Sequence, residues 1–157
     1  MEFTLHGFYK VKDEYFSDFP SKWHAQNKSE NRPYYLAAMS ENGIIWLIPI
    51  SSRVESYRAK IIADEEKYGK CLMYHIIEFM DEERVALIGN MIPVIPKYIK
   101  DKFTISENHY IVQNTATKNA IRTRSSRYLS LVRSGKLHPY LDILSIERKL
   151  LSSMGKS

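Results

Sequence analysis

The feature that most constrains the fold of this chain is a pair of β-prone runs joined by a short polar turn. Tyr34 to Met39 and Ile44 to Ile50 are rich in aliphatic and aromatic side chains, and Ser40-Glu41-Asn42-Gly43 separates them. An Asn-Gly step readily adopts the positive φ angles of a tight turn. The sequence therefore predicts an antiparallel hairpin over residues 34–50.

Shorter elements are predicted before this hairpin. Phe3 to Val11 alternates roughly as a strand does, and Asp13 can begin a helical turn that ends before Pro20. Ser21 to Asn31 is polar and basic without periodicity, which is typical of a loop.

A helix is predicted directly after the hairpin. Ser52 is the expected N-cap, and Glu55 would complete a capping box three residues later. The helix would run to about Tyr68, where Gly69 can adopt a left-handed conformation and end it.

The middle of the chain predicts two more strands. Cys71 to Phe79 and Val85 to Ile95 are mostly apolar, with the charged turn Asp81-Glu82-Glu83 between them. Pro93 has no N–H for a sheet, so the second strand is expected to bend, bulge or lie at an edge there.

Two helices are predicted at the end of the chain. The first would be capped at Ser106-Glu107 and run through Val132, and the second would span Pro139 to Leu151. Residues 152–157 are expected to form a flexible tail. Strands with one inserted helix, followed by two helices, indicate an α+β fold, and a chain of 157 residues is expected to be one domain over 1–157.

Composition excludes several classes of protein. Cys71 is the only cysteine, so an intrachain disulfide is impossible, which suits a cytoplasmic protein. No apolar run reaches the roughly 18 residues of a membrane helix, so no membrane association is expected. The five histidines are scattered without metal-ligand spacing, and the sequence has no Gly-rich phosphate loop and no Gly-x-Ser-x-Gly elbow. We therefore expect neither a metal nor a cofactor.

Positive charge is concentrated in one part of the sequence. The formal net charge is +5, and residues 109–141 contain no Asp or Glu. Such a stretch favours a polyanionic partner, although a solvated helix surface is also a sufficient explanation. The basic residues of this stretch are candidates for binding RNA, and so is Lys28, which precedes the hairpin. The candidate RNA-binding residues are Lys28, Lys118, Arg122, Arg124, Arg127, Arg133 and Lys136.

The hairpin predicts that basic and hydroxyl side chains lie close together at the base of its two strands. Lys28, Arg32 and Tyr34 lead into its first strand, and Ser51, Ser52 and Arg53 follow its second. The tight turn brings the two strand bases side by side, and the N–H groups of the following helix are expected to face the same place.

This convergence suits cleavage of RNA by its own 2′-hydroxyl, which needs stabilisation of charge on the phosphorane, proton transfer and in-line geometry. Arg32 and Arg53 could stabilise charge, while Ser51, Ser52 or Tyr34 could position the phosphate or relay a proton. Each residue also has a purely structural explanation, as a cap, a turn residue, a surface charge or a core-edge tyrosine. A non-catalytic RNA-binding module, or a domain that binds a protein partner, is therefore an open alternative.

Three segments, in this order, resemble a known family. They are Leu47-Ile48-Pro49-Ile50-Ser51-Ser52, Asn90-Met91-Ile92-Pro93-Val94, and the late helical stretch Lys118 to Leu137. The pattern is similar to the type III toxin family that includes ToxN, AbiQ and CptN, and the resemblance covers Phe8 to about Leu150.

The resemblance implies a small twisted β-barrel of the Kid/MazF type with added helices. It implies a sequence-selective endoribonuclease that leaves 2′,3′-cyclic phosphate and 5′-hydroxyl ends on cellular mRNA. The implied partner is a pseudoknot RNA antitoxin, which the toxin processes from a repeat transcript and binds in a cyclic protein–RNA assembly. The implied role is phage defence (abortive infection) or locus maintenance.

Some functional positions of the family have a counterpart in this sequence, and one does not. Its basic residue before the first hairpin strand falls on Arg32, and its Ser/Thr-Ser pair falls on Ser51 and Ser52. Its lysine shortly after that pair has no counterpart, because Val54 stands there with Arg53 beside it. This departure indicates a CptN-like or other divergent branch.

Overall fold

The computed structural model describes residues 1–27 and 30–155. Lys28, one of the predicted RNA-binding residues, lies outside them. Within these ranges the elements, in chain order, are β1 (Phe8–Val11), α1 (Asp13–Asp18), β2 (Tyr34–Met39), β3 (Ile45–Ser51), α2 (Val54–Tyr68), β4 (Tyr74–Phe79), β5 (Glu82–Leu87), a 3₁₀ turn (Ile88–Asn90), β6 (Ile92–Val94), a second 3₁₀ turn (Pro96–Tyr98), β7 (Ile99–Lys102), β8 (Thr104–Ile105), β9 (Asn108–His109), α3 (Thr115–Arg133) and α4 (Ile143–Ser153). The predicted α+β class is confirmed.

The predicted hairpin is present as β2 and β3. The strands are antiparallel, with Tyr34 opposite Pro49, and a register shift follows Leu36. The turn depends on Gly43, whose φ of 95° is a conformation that other residues rarely adopt. The side chains of β3 are buried along its whole length, so β3 is a central strand of the sheet.

The predicted strand Val85 to Ile95 is wrong as one element, because the 3₁₀ turn Ile88–Asn90 divides it into β5 and β6. Both parts pair with β3. Pro93 lies opposite Trp46 in β6, which pairs only with β3 in the described part of the chain. The expectation that this strand bends and reaches an edge near Pro93 is confirmed.

The main sheet is open, in contrast to the barrel that the resemblance implies. Its strand order is β4-β5-β3-β2-β1-β7, and the end strands β4 and β7 do not pair in the described residues. The two ends instead approach each other through side chains. The ring of Phe79 in β4 lies 4.9 Å from that of Phe8 and 5.6 Å from that of Phe103. Contacts between aromatic rings, without a β4–β7 ladder of backbone hydrogen bonds, are therefore what the described residues show between the two ends of the sheet.

The predicted capping box of α2 is wrong. The N-cap is Arg53, one residue after Ser52, and the Arg53 side chain makes no capping hydrogen bond. The oxygen of Ser51 accepts one from the Arg53 amide, so the first serine stabilises the turn before the helix. The predicted end of α2 is confirmed, since Gly69 is left-handed with φ 82°.

The predicted helix start at Ser106-Glu107 is also wrong. Both residues have positive φ and form the turn between β8 and β9. A helix cannot begin from two successive left-handed residues. The helix α3 begins instead at Thr115, after Asn114, whose side-chain oxygen accepts a hydrogen bond of 2.9 Å from the Thr117 amide.

The last helix begins after Asp142, whose side chain accepts a hydrogen bond of 3.1 Å from the Ser145 amide. It extends to Ser153, so two residues of the predicted tail are helical. In the described part of the chain, no helix is long and apolar enough to cross a membrane.

The core lies between the sheet and the carboxyl-terminal helices. From α3, Ile121, Tyr128 and Val132 are buried in the same cluster as the β2 and β3 side chains, and α4 packs against β6. The Tyr128 hydroxyl donates a hydrogen bond of 3.2 Å to the Gly89 carbonyl, which connects α3 to the 3₁₀ turn. This packing fixes the segment after Leu87 beside the base of the hairpin.

Candidate functional site

The base of the hairpin forms one wall of a cavity of about 250 Å³. The β2–β3 register places Tyr34 opposite Pro49, and extending it by two residues places Arg32 opposite Ser51. The predicted convergence is confirmed for Arg32, Ser51, Ser52 and Arg53, whereas Tyr34 does not line the cavity. The residues that line the cavity are Trp23, His24, Ala25, Gln26, Arg32, Ser51, Ser52, Arg53, Tyr57, Leu87 and Asn90.

Arg32 is half-buried and held by backbone carbonyls. Its Nη1 donates to the Ile50 carbonyl over 2.6 Å and its Nε donates to the Gln26 carbonyl. Burial lowers the pKa of its guanidinium, while the nearby Tyr34 and Tyr57 raise it. Among the residues that the structure describes, no carboxylate pairs with Arg32 or lines the cavity. A partly desolvated cation without a counter-charge favours an anionic ligand.

The two serines have different environments. Ser51 is buried, and its oxygen accepts a hydrogen bond of 3.1 Å from the Arg53 amide. Ser52 and Arg53 are exposed at the rim. The Val54 N–H donates to the Ser52 carbonyl, but no side chain of the N-cap residue caps α2, and the positive end of the helix dipole lies beside the cavity. Together with two arginines, this arrangement can bind a phosphate group.

Tyr34 lies behind the site. Its side chain is buried and does not line the cavity. Burial raises the pKa of its phenol, and the adjacent Arg32 counteracts that shift. Of the five catalytic candidates, the structure brings Arg32, Ser51, Ser52 and Arg53 together and places Tyr34 in the core.

The sequence analysis missed the wall that residues 23–26 form. In His24, Nε2 lies 2.7 Å from the Phe19 carbonyl and therefore carries the hydrogen, which leaves a lone pair on Nδ1. That Nδ1 is buried and has no partner among the described residues. Burial lowers the pKa of His24, and the hydrogen bond to the Phe19 carbonyl partly opposes that shift. A buried, unpaired acceptor in a cavity wall is unusual in folded proteins.

Long-range contacts hold this loop in place. The Asn27 amide donates to the Val11 carbonyl over 3.0 Å and to the Asp13 carboxylate over 2.8 Å. The ring of His24 packs edge-on against Phe16 at 5.0 Å. The only signal in the sequence was the presence of Trp23 and His24 in an otherwise polar loop, which is insufficient to place them at a site.

Most of the predicted RNA-binding residues lie on or after α3, and none of those described lines the cavity. Arg122, Arg127 and Lys136 are exposed. Lys118 is half-buried, and it lies with Arg122 close enough to His6 to lower the pKa of that ring in addition to the effect of burial.

Two arginines of α3 have partners within the protein. Arg124 donates from Nε to the Cys71 carbonyl over 3.3 Å. Arg133 forms two hydrogen bonds with the Glu147 carboxylate, at 2.8 and 2.9 Å. The charge of Arg133 is therefore compensated within the fold.

The described residues contain no cluster of three or more His, Cys, Asp or Glu side chains that could hold a metal ion.

Comparison with known proteins identifies solved structures with the same fold. No protein-family model and no curated protein sequence matches the chain. AbiQ, a lactococcal anti-phage endoribonuclease belonging to the type III toxin-antitoxin system, matches with a TM-score of 0.70 and 17% identity, over 98% of this chain and all of its own. A structure from a bacterial antiviral system that a processed non-coding RNA regulates matches with a TM-score of 0.63 and 15% identity, over 92% and 96% of the two chains. The similarity establishes a shared fold.

Proposed function

We propose that this protein is an endoribonuclease, the toxin of a type III toxin-antitoxin system, and that the chain acts as one domain. The observation that carries the proposal is the cavity in which Arg32, Arg53 and two serines meet without a described carboxylate. The fold shared with AbiQ supports the same activity, as does the sequence resemblance to the type III toxin family.

The proposed reaction uses the RNA as its own nucleophile and no metal ion. The 2′-hydroxyl loses its proton, and its oxygen forms a bond to the adjacent phosphorus. The bond from phosphorus to the 5′-oxygen then breaks, and that oxygen takes up a proton. The products are a 2′,3′-cyclic phosphate and a 5′-hydroxyl, and the transition state carries extra negative charge on the phosphorane oxygens.

The described side chains suit these requirements. Arg32 is held in place by two backbone carbonyls and can place a guanidinium against the phosphorane. Arg53 and the uncapped amino end of α2 add positive charge at the rim. The Ser51 and Ser52 hydroxyls can orient the phosphate for in-line attack.

We infer that the partner of this toxin is an RNA antitoxin with a pseudoknot fold, processed from a repeat transcript and bound in a cyclic protein–RNA assembly. The substrates would be cellular mRNAs, the compartment the cytoplasm, and the role phage defence or locus maintenance. The exposed part of the α3 basic surface supports binding to RNA. The second matching structure comes from a system that a processed non-coding RNA regulates, which supports the same kind of partner.

We also infer a relationship to the Kid/MazF barrels. Contact of Phe79 with Phe8 and Phe103 brings the two ends of the sheet together, as would follow if a barrel had lost the pairing between its end strands.

The test is incubation of the purified protein with RNA in EDTA. We expect fragments that end in cyclic phosphates, and we expect the doubly substituted S51A/S52A protein to lose cleavage while it still binds RNA. A matched control is S152A, which alters an exposed serine at the end of α4. Activity that requires added Mg²⁺ would contradict the proposal, and binding without cleavage by the unaltered protein would favour a non-catalytic RNA-binding module.

A further inference from the structure

Two exposed aromatic rings stack on each other at the rim of the cavity. The rings of Trp23 and Tyr140 lie 4.4 Å apart with an interplanar angle of 18°. Trp23 belongs to the loop after α1, and Tyr140 belongs to the segment between α3 and α4. Trp23 is nevertheless 43% exposed and Tyr140 82% exposed. Much of the surface of the pair, above all that of Tyr140, is therefore open to solvent.

The pair is connected to the candidate site through Trp23, which lines the cavity together with Arg32 and Ser51. The ammonium group of Lys22 lies 5.0 Å from the centroid of the Trp23 ring. One face of the Tyr140 ring stacks on Trp23. Because so much of Tyr140 is exposed, the other face of its ring is open to solvent. A cation and a free aromatic face thus adjoin a cavity suited to phosphate.

A second aromatic group borders the same cavity from α2. Tyr57 lines the cavity, and its ring lies 4.8 Å from that of Tyr74. The ammonium group of Lys60 lies within 6 Å of both ring centroids. Tyr140 is close enough to Tyr74 to contribute to the raised pKa of that phenol, after the larger effect of burial. Aromatic rings are therefore grouped around the phosphate-binding groups.

This combination is suited to single-stranded nucleic acid. Proteins bind such strands with a positive groove for the backbone and with aromatic rings on which the bases stack. Stacking is tolerant of sequence because every base has an aromatic face. Two rings that already stack on each other lose little freedom when a base is added. A protein partner would need a wider apolar surface than two rings with the Lys22 ammonium group beside them provide.

We propose that the Trp23–Tyr140 pair is a base-stacking subsite, which holds a nucleobase of single-stranded RNA beside the phosphodiester bound at Arg32 and Ser51. This inference rests on the proposed function, because it assigns part of the same substrate to the rim of the same cavity. The subsite would fix the strand relative to the cavity and would take any of the four bases.

The experiment measures binding and contact with an RNA that cannot be cut. A short 2′-O-methyl RNA of mixed sequence lacks the attacking hydroxyl, and 5-iodouracil in it forms photo-crosslinks with aromatic rings that it stacks on. We expect crosslinks to the peptides that contain Trp23 or Tyr140. We expect Y140A and W23A to bind this RNA about tenfold more weakly, and Y140F, which keeps the ring, to bind as the unaltered protein does.

The matched control is Y68A, which removes another exposed tyrosine from the far end of α2. It is expected to leave both binding and crosslinking unchanged. Equal affinities for Y140A, Y68A and the unaltered protein would overturn the inference, and so would the absence of binding by the unaltered protein. Cleavage of ordinary RNA is measured separately. Cleavage without a role for Tyr140 would refute only the subsite, whereas crosslinking without cleavage would refute only the nuclease.

Discussion

Arg32 and Arg133 are the same residue type in two very different surroundings. Arg32 donates to the carbonyls of Gln26 and Ile50, which hold the guanidinium but leave its charge unbalanced. Arg133 donates to both carboxylate oxygens of Glu147, and its guanidinium carbon lies 5.8 Å from the centroid of the Trp46 ring. The Arg32 guanidinium has no carboxylate partner among the described residues, whereas the Arg133 guanidinium has Glu147.

The difference shows that a basic run in the sequence does not identify a binding surface by itself. Residues 109–141 contain no acid, but Glu147 lies in the next helix and folds back onto the end of α3. The charge available to a ligand is therefore what remains after the fold has formed its own pairs. By this criterion the hairpin base and the exposed middle of α3 are available, and the end of α3 is not.

The largest expected effect is the loss of cleavage on substitution of Arg32. In R32A we expect the cleavage rate to fall by about 10²- to 10³-fold, the loss typical for removal of a transition-state charge partner. R32K should keep part of the activity, because an ammonium group retains the charge but cannot reproduce the two directed hydrogen bonds. The rate is measured with a labelled RNA in EDTA.

The control for this change is R127A, which removes an exposed arginine of α3. Thermal unfolding would verify that R32A is folded. If R32A and R127A cut RNA at the same rate, the distinction between a functional and a surface arginine would be wrong.

The next largest effect is on stability, at Arg133. R133A leaves the Glu147 carboxylate, which is 11% exposed, without its partner. We expect the free energy of unfolding to fall by about 2–3 kcal/mol, because an uncompensated charge is then mostly buried. Denaturation by urea measures this change.

The additional substitution E147Q is expected to restore part of that stability, since it removes the unpaired charge. A loss in R133A no greater than that in R127A would show that the ion pair does not stabilise the fold.

The surroundings of Arg124 are intermediate between those of Arg32 and those of Arg133. It donates to backbone carbonyls, as Arg32 does, but it faces His75. Burial and then the Arg124 charge lower the pKa of His75 from 6.5 to about 4. The folded protein therefore binds fewer protons than the unfolded chain below pH 6.5, and its stability decreases as pH falls from 6.5 towards 4, by about 2 kcal/mol.

Unfolding measured across this pH range checks the prediction. H75Q should flatten the dependence, R124A should reduce it by raising the pKa of His75, and H138Q, at an exposed position, should leave it unchanged. An unchanged curve for H75Q would assign the dependence to other groups.

The smallest effect is expected on the α3 surface. R127A should weaken RNA binding a few-fold and reduce the slope of log affinity against log salt by about 0.7, as loss of one phosphate contact with a single strand does. R133A should leave that slope unchanged, because its charge is already paired. Affinity is measured with uncleavable RNA at several salt concentrations, and a change of slope in R133A would remove the contrast between the middle and the end of α3.

The sequence by itself determined the hairpin and much of the site. The two β-prone apolar runs and the turn at Gly43 act over a few neighbouring positions, and the resulting register places Arg32 opposite Ser51. The end of α2 at Gly69 is equally local. These features could be predicted because short-range propensities and the burial pattern favour the same conformation.

Only the tertiary structure decided the rest. Ser106-Glu107 has the pattern of a helix cap, yet it forms a turn, because the following residues pair with β8. The pairings of Trp23 with Tyr140 and of Arg133 with Glu147 join segments that no local pattern connects. Which distant side chains meet depends on how the whole chain buries its apolar surface, and local sequence does not contain that information.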